Sequence, residues 1–301
     1  MEEPKVGIIL VNYNGYNDTI ACVDSLVQIH YKNYCIYIVD NGSTNVSLKI
    51  LKDIYKNHEN VKIIDSGSNL GFSGGNNVGI IIAMREKSEY VLLLNNDTVV
   101  ESDFLKPLVA EAELDSTIGI VTGKIKFFKQ KEKLWFAGGH YSHLKGTVVH
   151  YGYGIEDIEN YNVKKEVDFS TGCLMLIPIK VICNVGLLPE HYFLYCEDTE
   201  FSLRVLEYNY KIIYQPESVI YHKVSASTGS TSVLSEYYMV RNAFLVVRER
   251  GKGLSRISAY IYLFLQTLKR VLLGKYRLRV VGKAFMDFLN GEVGQLYMPL
   301  T

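Results

Sequence analysis

In the first third of the chain, short unbroken apolar runs alternate with longer stretches in which apolar residues recur every three or four positions. The runs are too short for helices and show no polar alternation, the pattern of strands buried on both faces. They predict strands over 6–11, 34–39, 61–64 and 90–94. Helices are expected between them: from a cap at Asp18 or Thr19 to about residue 29, over 47–56, and from a glycine-rich stretch at 66–77 to about residue 85. Strands joined by helices imply right-handed crossovers, hence an α/β fold with a mainly parallel sheet flanked by helices.

Beyond residue 122 the pattern loosens. Residues 123–170 read as loops and short antiparallel strands around Gly138-Gly139-His140 and glycines 146 to 154. The chain is expected to return to the sheet over 168–177, form a short helix over 198–207, and add two short strands at 211–214 and 218–222. From about residue 234 it turns basic, aromatic and helical. Ile257, Ile261, Phe264, Leu265, Leu268, Val271 and Leu272 follow helical spacing and make one apolar arc. Arg256, Gln266, Lys269 and Arg270 lie on the other side. The chain therefore divides into a main domain over 1–235 and a basic, amphipathic helical segment over 236–301.

Composition narrows the picture modestly. An apolar share of 48 % against 21 % charged residues suits a globular chain rather than a disordered one. The five cysteines show no CxxC spacing, so neither a zinc site nor a disulfide framework is expected, and a reducing compartment is the simplest reading. Met1-Glu2-Glu3-Pro4-Lys5 leads straight into a strand, unlike a signal peptide, and no run of about 18 apolar residues predicts a spanning helix. The net charge of zero hides an asymmetry. Between Arg241 and Lys283 stand eleven Lys/Arg and one acid, Glu249, which leaves 21 basic and 31 acidic residues elsewhere. A localised anionic partner is expected, such as a membrane surface, and not a nucleic acid.

Two acidic clusters carry the candidate chemistry. Asn95-Asn96-Asp97 follows the run 90–94, and loops at the carboxyl ends of such strands are where open α/β sheets hold ligands. The Asp97 carboxylate there suits a hard divalent cation on diphosphate oxygens, although Asn and Asp also favour plain turns. In Glu197-Asp198-Thr199-Glu200, crowded carboxylates repel and raise at least one pKa, which makes a better base near neutral pH. Arg204, one turn after Glu200, is placed to pair with it. The same cluster would also suit an ordinary helix start. Asp40, after a strand, suits the imide N–H of uracil or thymine, or an Asx-turn. In Asn69-Leu70-Gly71-Phe72-Ser73-Gly74-Gly75-Asn76-Asn77, glycines before a helix suit either close backbone approach to phosphate or a tight turn. His222, ahead of Lys223-Val224-Ser225, could complete a metal shell or be structural.

Taken in order, Val11-Asn12-Tyr13-Asn14-Gly15, Val39-Asp40-Asn41-Gly42-Ser43, the 69–77 stretch, Asn95-Asn96-Asp97 and Glu197-Asp198-x-Glu200-x-x-x-Arg204 resemble the motifs of family 2 glycosyltransferases. The resemblance is to GT-A enzymes, particularly the rhamnosyltransferase-like branch, and it extends over nearly the whole chain, through Gly291-Glu292-Val293-Gly294. It implies a nucleotide-binding half to about residue 122, an acceptor half over 123–235, and inverting transfer from a nucleotide-diphosphate sugar, dTDP-rhamnose or a UDP-sugar. The acceptor would be a saccharide or lipid-linked saccharide in cell-surface glycan assembly.

By position, Asp198 would be the base, with Glu197 beside it, and Asp97 and His222 would hold Mg²⁺ or Mn²⁺. Asn12, Asn14, Asp40, Asn69, Gly71, Gly75, Asn76 and Asn96 would bind the nucleotide. Gly172, Glu200 and Arg204 would lie near donor sugar and acceptor. Asn95 and Asn96 stand where a fuller motif carries carboxylates. A cytoplasmic enzyme, peripheral on the inner face of the cell membrane, is the implied setting. Two other classes fit part of the pattern. One is an inactive nucleotide-sugar-binding partner protein. The other is a sugar nucleotidyltransferase, disfavoured because Asn12-Tyr13-Asn14-Gly15-Tyr16 carries no basic residue for a triphosphate.

Overall fold

The computed structural model describes residues 3–224 and 232–296. Ser225, three residues after His222 in the sequence, and the last five residues of the C-terminal segment lie outside the described residues. In order, the elements are β1 (Val6–Asn12), α1 (Tyr16–Leu26), β2 (Tyr34–Asp40), α2 (Ser47–Tyr55), β3 (Val61–Asp65), α3 (Gly71–Arg85), β4 (Tyr90–Leu94), β5 (Thr98–Val100) and α4 (Leu105–Leu114). They continue with β6 (Ile118–Phe127), β7 (Leu134–Phe136), β8 (Gly139–Ser142), β9 (Thr147–His150), β10 (Lys165–Val167), β11 (Leu174–Pro178), α5 (Ile179–Val185), α6 (Glu197–Glu207) and β12 (Lys211–His222). Three helices close the chain: α7 (Val233–Arg250), α8 (Gly253–Leu272) and α9 (Leu278–Asn290).

One mixed sheet runs β10-β12-β6-β11-β4-β1-β2-β3. Its two long parallel blocks, β4-β1-β2-β3 and β6-β12, are separated by antiparallel β11. The apolar runs lack alternation because both faces are covered. Ile8 and Leu10 pack towards α1 and α4, whereas Ile9 faces α3 with Leu93 and Met175.

Several boundaries move from those expected. Helix α1 starts at Tyr16 after Gly15, so Thr19 is an interior residue whose hydroxyl donates to Asn12 Oδ1 at 2.9 Å. The glycine-rich stretch does not precede its helix but forms the first turns of it. Gly75 and Gly79 lie one helical turn apart against β1, where a Cβ would come within 2.9 Å of Val11 and 2.6 Å of Ile9. Close helix-on-strand packing, rather than loop geometry, explains these two glycines. The segments 211–214 and 218–222 are one strand, β12, with a register shift between Gln215 and Val219.

The C-terminal helices form their own small core around Tyr237, Phe244, Leu263, Val280 and Ala284, and they pack Phe193, Leu194 and Tyr195 against it. The expected boundary at 235/236 falls inside α7, and α7 is bonded into the main domain through the contacts described below. Among the described residues, no helix is long and apolar enough to cross a membrane.

Candidate active site

Strand β4 delivers Asp97 to the mouth of a cleft of about 1120 Å³, and helix α6 delivers Glu197 and Asp198 to the same cleft. Two carboxylate sites a hundred residues apart in sequence thus share one cavity. Asn41, Asn69, Gly71, Asn76, Asn96, Gly172 and His222 also line it. Around Asp97, His222 Nε2 lies 3.1 Å from Oδ1, and both side chains are largely buried. Burial opposes charge on His222, but Cys173 and Asp97 outweigh it and push the imidazole up to about 10. Cys173 is itself held as the thiol by burial, so at neutral pH the Asp97 carboxylate is the anion that matters.

The acidic side is built differently. Glu197 is buried and Asp198 part-buried at the start of α6. Gly172 N–H donates to Asp198 Oδ2 at 3.2 Å, and Thr199 N–H to Oδ1 at 2.7 Å. Desolvation raises the Asp198 carboxyl against these bonds. Desolvation and the Asp198 charge push Glu197 up to about 8, and its Oε2 is buried without a hydrogen-bond partner. Burial of two adjacent carboxyls thus favours a proton held by the pair near neutral pH.

The backbone leading to these acids is strained. Phe193, Tyr195 and Cys196 all have positive φ, at 64°, 68° and 69°. None is glycine, so each costs on the order of 1–3 kcal/mol. Helix α7 holds them there. The buried Asn242 Nδ2 lies 2.8–2.9 Å from the carbonyl oxygens of Tyr192, Leu194 and Tyr195, three acceptors sharing two N–H groups. Arg241 Nη2 donates to Tyr192 O at 3.1 Å and Nη1 to Gly294 O at 2.9 Å, and Gly294 N–H returns to His191 O at 2.6 Å. Phe72 N–H donates to Phe193 O, and Gly71, at φ +73°, leaves no room for a Cβ there. The loop is clamped from both sides.

Not every expected site residue faces the cleft. Asp40 is 1 % exposed, and its two oxygens accept from Asn12 Nδ2 at 2.7 Å and Ser43 N–H at 3.0 Å. It anchors a chain of bonds running from Asn96 through Thr19 to Asn12, rather than lining the cavity. Asn14 turns the other way, its Oδ1 accepting from Thr44 and Asn45 N–H. Gly75 packs on β1. Glu200, expected near the acceptor, is 2 % exposed and does not line the cleft. It pairs with Arg204 at 3.1 Å and with Arg250 of α7, while Arg204 also donates to the Val185 and Leu187 carbonyls. These three residues brace α6.

Arg241, Asn242 and Arg250 were not singled out from the sequence. The available signal was a polar Arg-Asn pair set among Tyr237, Tyr238, Val240, Phe244 and Leu245, all buried.

The chain is 23 % identical over 288 residues to a dTDP-rhamnosyl transferase of Shigella flexneri (RfbF), covering 93 % of each. Among solved structures it superposes on GalNAc-T7 with UDP, GalNAc and Mn²⁺ at a TM-score of 0.63 and 17 % identity, over 81 % of this chain but only 48 % of that one. It superposes on the mannosyltransferase PcManGT of Pyrobaculum calidifontis, in complex with GDP-Man and Mn²⁺, at 0.60 and 14 % identity, over 98 % of this chain and 77 % of that one. These likenesses show a GT-A fold. Because the glycosyl transferase family 2 model also matches residues 7–183, spanning β1 to the middle of α5 and the Asp97 side of the cleft, the chain belongs to glycosyl transferase family 2.

Proposed function

We propose that the protein is an inverting glycosyltransferase. It moves a sugar from a nucleotide-diphosphate donor, dTDP-rhamnose or a UDP-sugar, to a saccharide or lipid-linked saccharide hydroxyl in glycan assembly. The observation that carries the reading is the shared cleft of Asp97 and Asp198, with Gly172 bonded to the latter. Asp198 accepts the proton of the acceptor hydroxyl as its oxygen bonds to the anomeric carbon. The bond from that carbon to the diphosphate oxygen breaks on the opposite face. Desolvation suits Asp198 to this role by raising its proton affinity towards neutral pH. Gly172 N–H and Thr199 N–H fix the carboxylate's orientation.

Asp97 and His222 fit a hard divalent cation, Mg²⁺ or Mn²⁺. They offer a carboxylate and, once His222 gives up the proton it shares with Asp97, an imidazole side by side at the cleft. Among the described residues no group of three or more His, Cys, Asp or Glu is arranged to hold a metal ion, so donor oxygens and water would complete the shell. When bound, the cation supplies neutralisation of charge on the departing diphosphate. Asn41, Asn69 and Asn76 line the nucleotide side, with Asp40 and Asn12 supporting them from below. The basic, apolar surface of α8 and α9 suits docking on the anionic inner face of a membrane.

The test is release of nucleoside diphosphate from a panel of dTDP- and UDP-sugars with Mn²⁺, comparing wild type with Asp198→Asn. Loss of roughly 10²–10⁴-fold in turnover with nucleotide binding retained is expected. Near wild-type turnover in the variant would remove Asp198 as the base. Nucleotide binding with no turnover in either protein would make the chain a binding partner instead.

A further inference from the structure

A second cavity, about 670 Å³, opens beside the catalytic cleft, and Arg270, Lys275 and Arg277 line it against a single acid, Glu236. The two cavities share Tyr195, Met239, Arg270 and Tyr276. Tyr195 stands three residues before Asp198, so the second cavity adjoins the acidic side of the cleft.

Its charges are unevenly matched. Arg277 is paired with Glu236 at 2.7 Å. Arg270 instead bonds the Tyr276 hydroxyl and lies 5.0 Å over that ring. Among the described residues no carboxylate pairs with Arg270 or Lys275. Two cations remain for an outside anion.

The same helix provides apolar surface. Leu263, Gln266 and Arg270, spaced along one side of α8, line the cleft over about 10 Å of its axis. On its other sides Ile261, Phe264, Leu265, Leu268 and Leu272 are 43–77 % exposed. A ligand that uses all three surfaces has a hydroxyl at Asp198, an anionic group at Arg270, and an apolar chain along α8.

We propose that the second cavity seats the phosphate or pyrophosphate of a lipid-linked saccharide acceptor, with Arg270 as the main contact and Lys275 beside it. This rests on the transferase reading above. Arginine supplies two parallel N–H bonds to a phosphate group, and Lys275 adds a point charge. The lipid then lies along the exposed side of α8, where a bilayer would meet it.

The experiment is sedimentation with three vesicle types: phosphatidylcholine alone, phosphatidylcholine with phosphatidylglycerol, and phosphatidylcholine with polyprenyl phosphate at matched charge. Wild type should bind the polyprenyl phosphate vesicles about tenfold more tightly than the phosphatidylglycerol ones, the scale of one charge-assisted contact. Inorganic pyrophosphate should erase that excess and leave the phosphatidylglycerol binding in place. Arg270→Gln should lose the excess, with Lys275→Gln losing less. Equal binding to both anionic vesicles, or an excess that survives Arg270→Gln, overturns the proposal. A thermal shift with UDP or dTDP and Mn²⁺ separates the two readings. A chain that shifts with nucleotide yet shows no excess loses this inference alone. A chain that keeps the excess but responds to no nucleotide keeps the anion seat and loses the transferase.

Discussion

The two carboxylates that share the cleft are held in opposite ways. Asp97 leaves a buried central strand by a short turn and pairs with His222 at the end of β12, a strand of the same sheet. Asp198 starts a helix that follows three non-glycine residues at positive φ, and those are fixed by side chains of α7 some fifty residues later. One side is secured by sheet hydrogen bonding that many sequences can satisfy. The other stores strain that only particular partners can hold. The helical tail is therefore part of the acidic side of the site as well as a candidate surface for docking.

The contrast can be broken by substitution. Asp97→Asn should reduce turnover by about 10²-fold or more, the scale of removing one electrostatic stabiliser. Excess Mn²⁺ should restore part of it, and melting should fall only through the loss of the buried pair with His222, since the sheet hydrogen bonds remain. Asn242→Ala should behave otherwise. It strips donors from up to three carbonyls, so a stability loss of about 1–3 kcal/mol is expected by denaturant titration. Turnover should fall about tenfold in the same protein, as α6 loses its fixed start. An Asn242→Ala enzyme with normal turnover would show that the loop holds its shape unaided.

Glu197→Gln should change activity at pH 7 by only a few-fold, because Glu197 is already protonated there. Its signature lies in stability. With the folded carboxyl raised from the ordinary 4.5 to about 8, the folded state binds more protons across that window. The stability contributed by this group is thus full at low pH and declines as pH rises from about 4.5 through 8, by at most about 1.4 kcal/mol per pH unit. Melting curves of the variant should lack that decline. Phe264→Glu is the mildest change. Its side chain is 51 % exposed, so melting should be unaltered while binding to anionic vesicles weakens several-fold.

Sequence reading located Asp97, Asp198 and the strands beneath them because their patterns are local. An apolar run ending in Asn-Asn-Asp and an acidic helix start are each contained within a few residues. The Glu200–Arg204 pair was also legible from its spacing, although its surroundings make it a brace for α6 and not a cleft contact. The 69–77 stretch was misplaced for a physical reason. Glycine serves equally for a loop near phosphate and for a helix pressed onto a strand, and only Val11 and Ile9 against Gly75 and Gly79 decide between them. Asp40 lies outside the cleft lining, its carboxylate accepting from Asn12 and Ser43, a placement that no pattern in its own segment encodes.

The sequence by itself determined the alternation of strands and helices, the two acidic clusters, and the basic character of the last helices. Tertiary structure alone decided that both clusters enter one cleft, that Arg241 and Asn242 hold the strained approach to Asp198, and that α8 turns Arg270 inward and its apolar arc outward. Local spacing fixes what a residue can do within its own element. Which partners reach it across the fold depends on packing between segments far apart in the chain, and no short pattern encodes that.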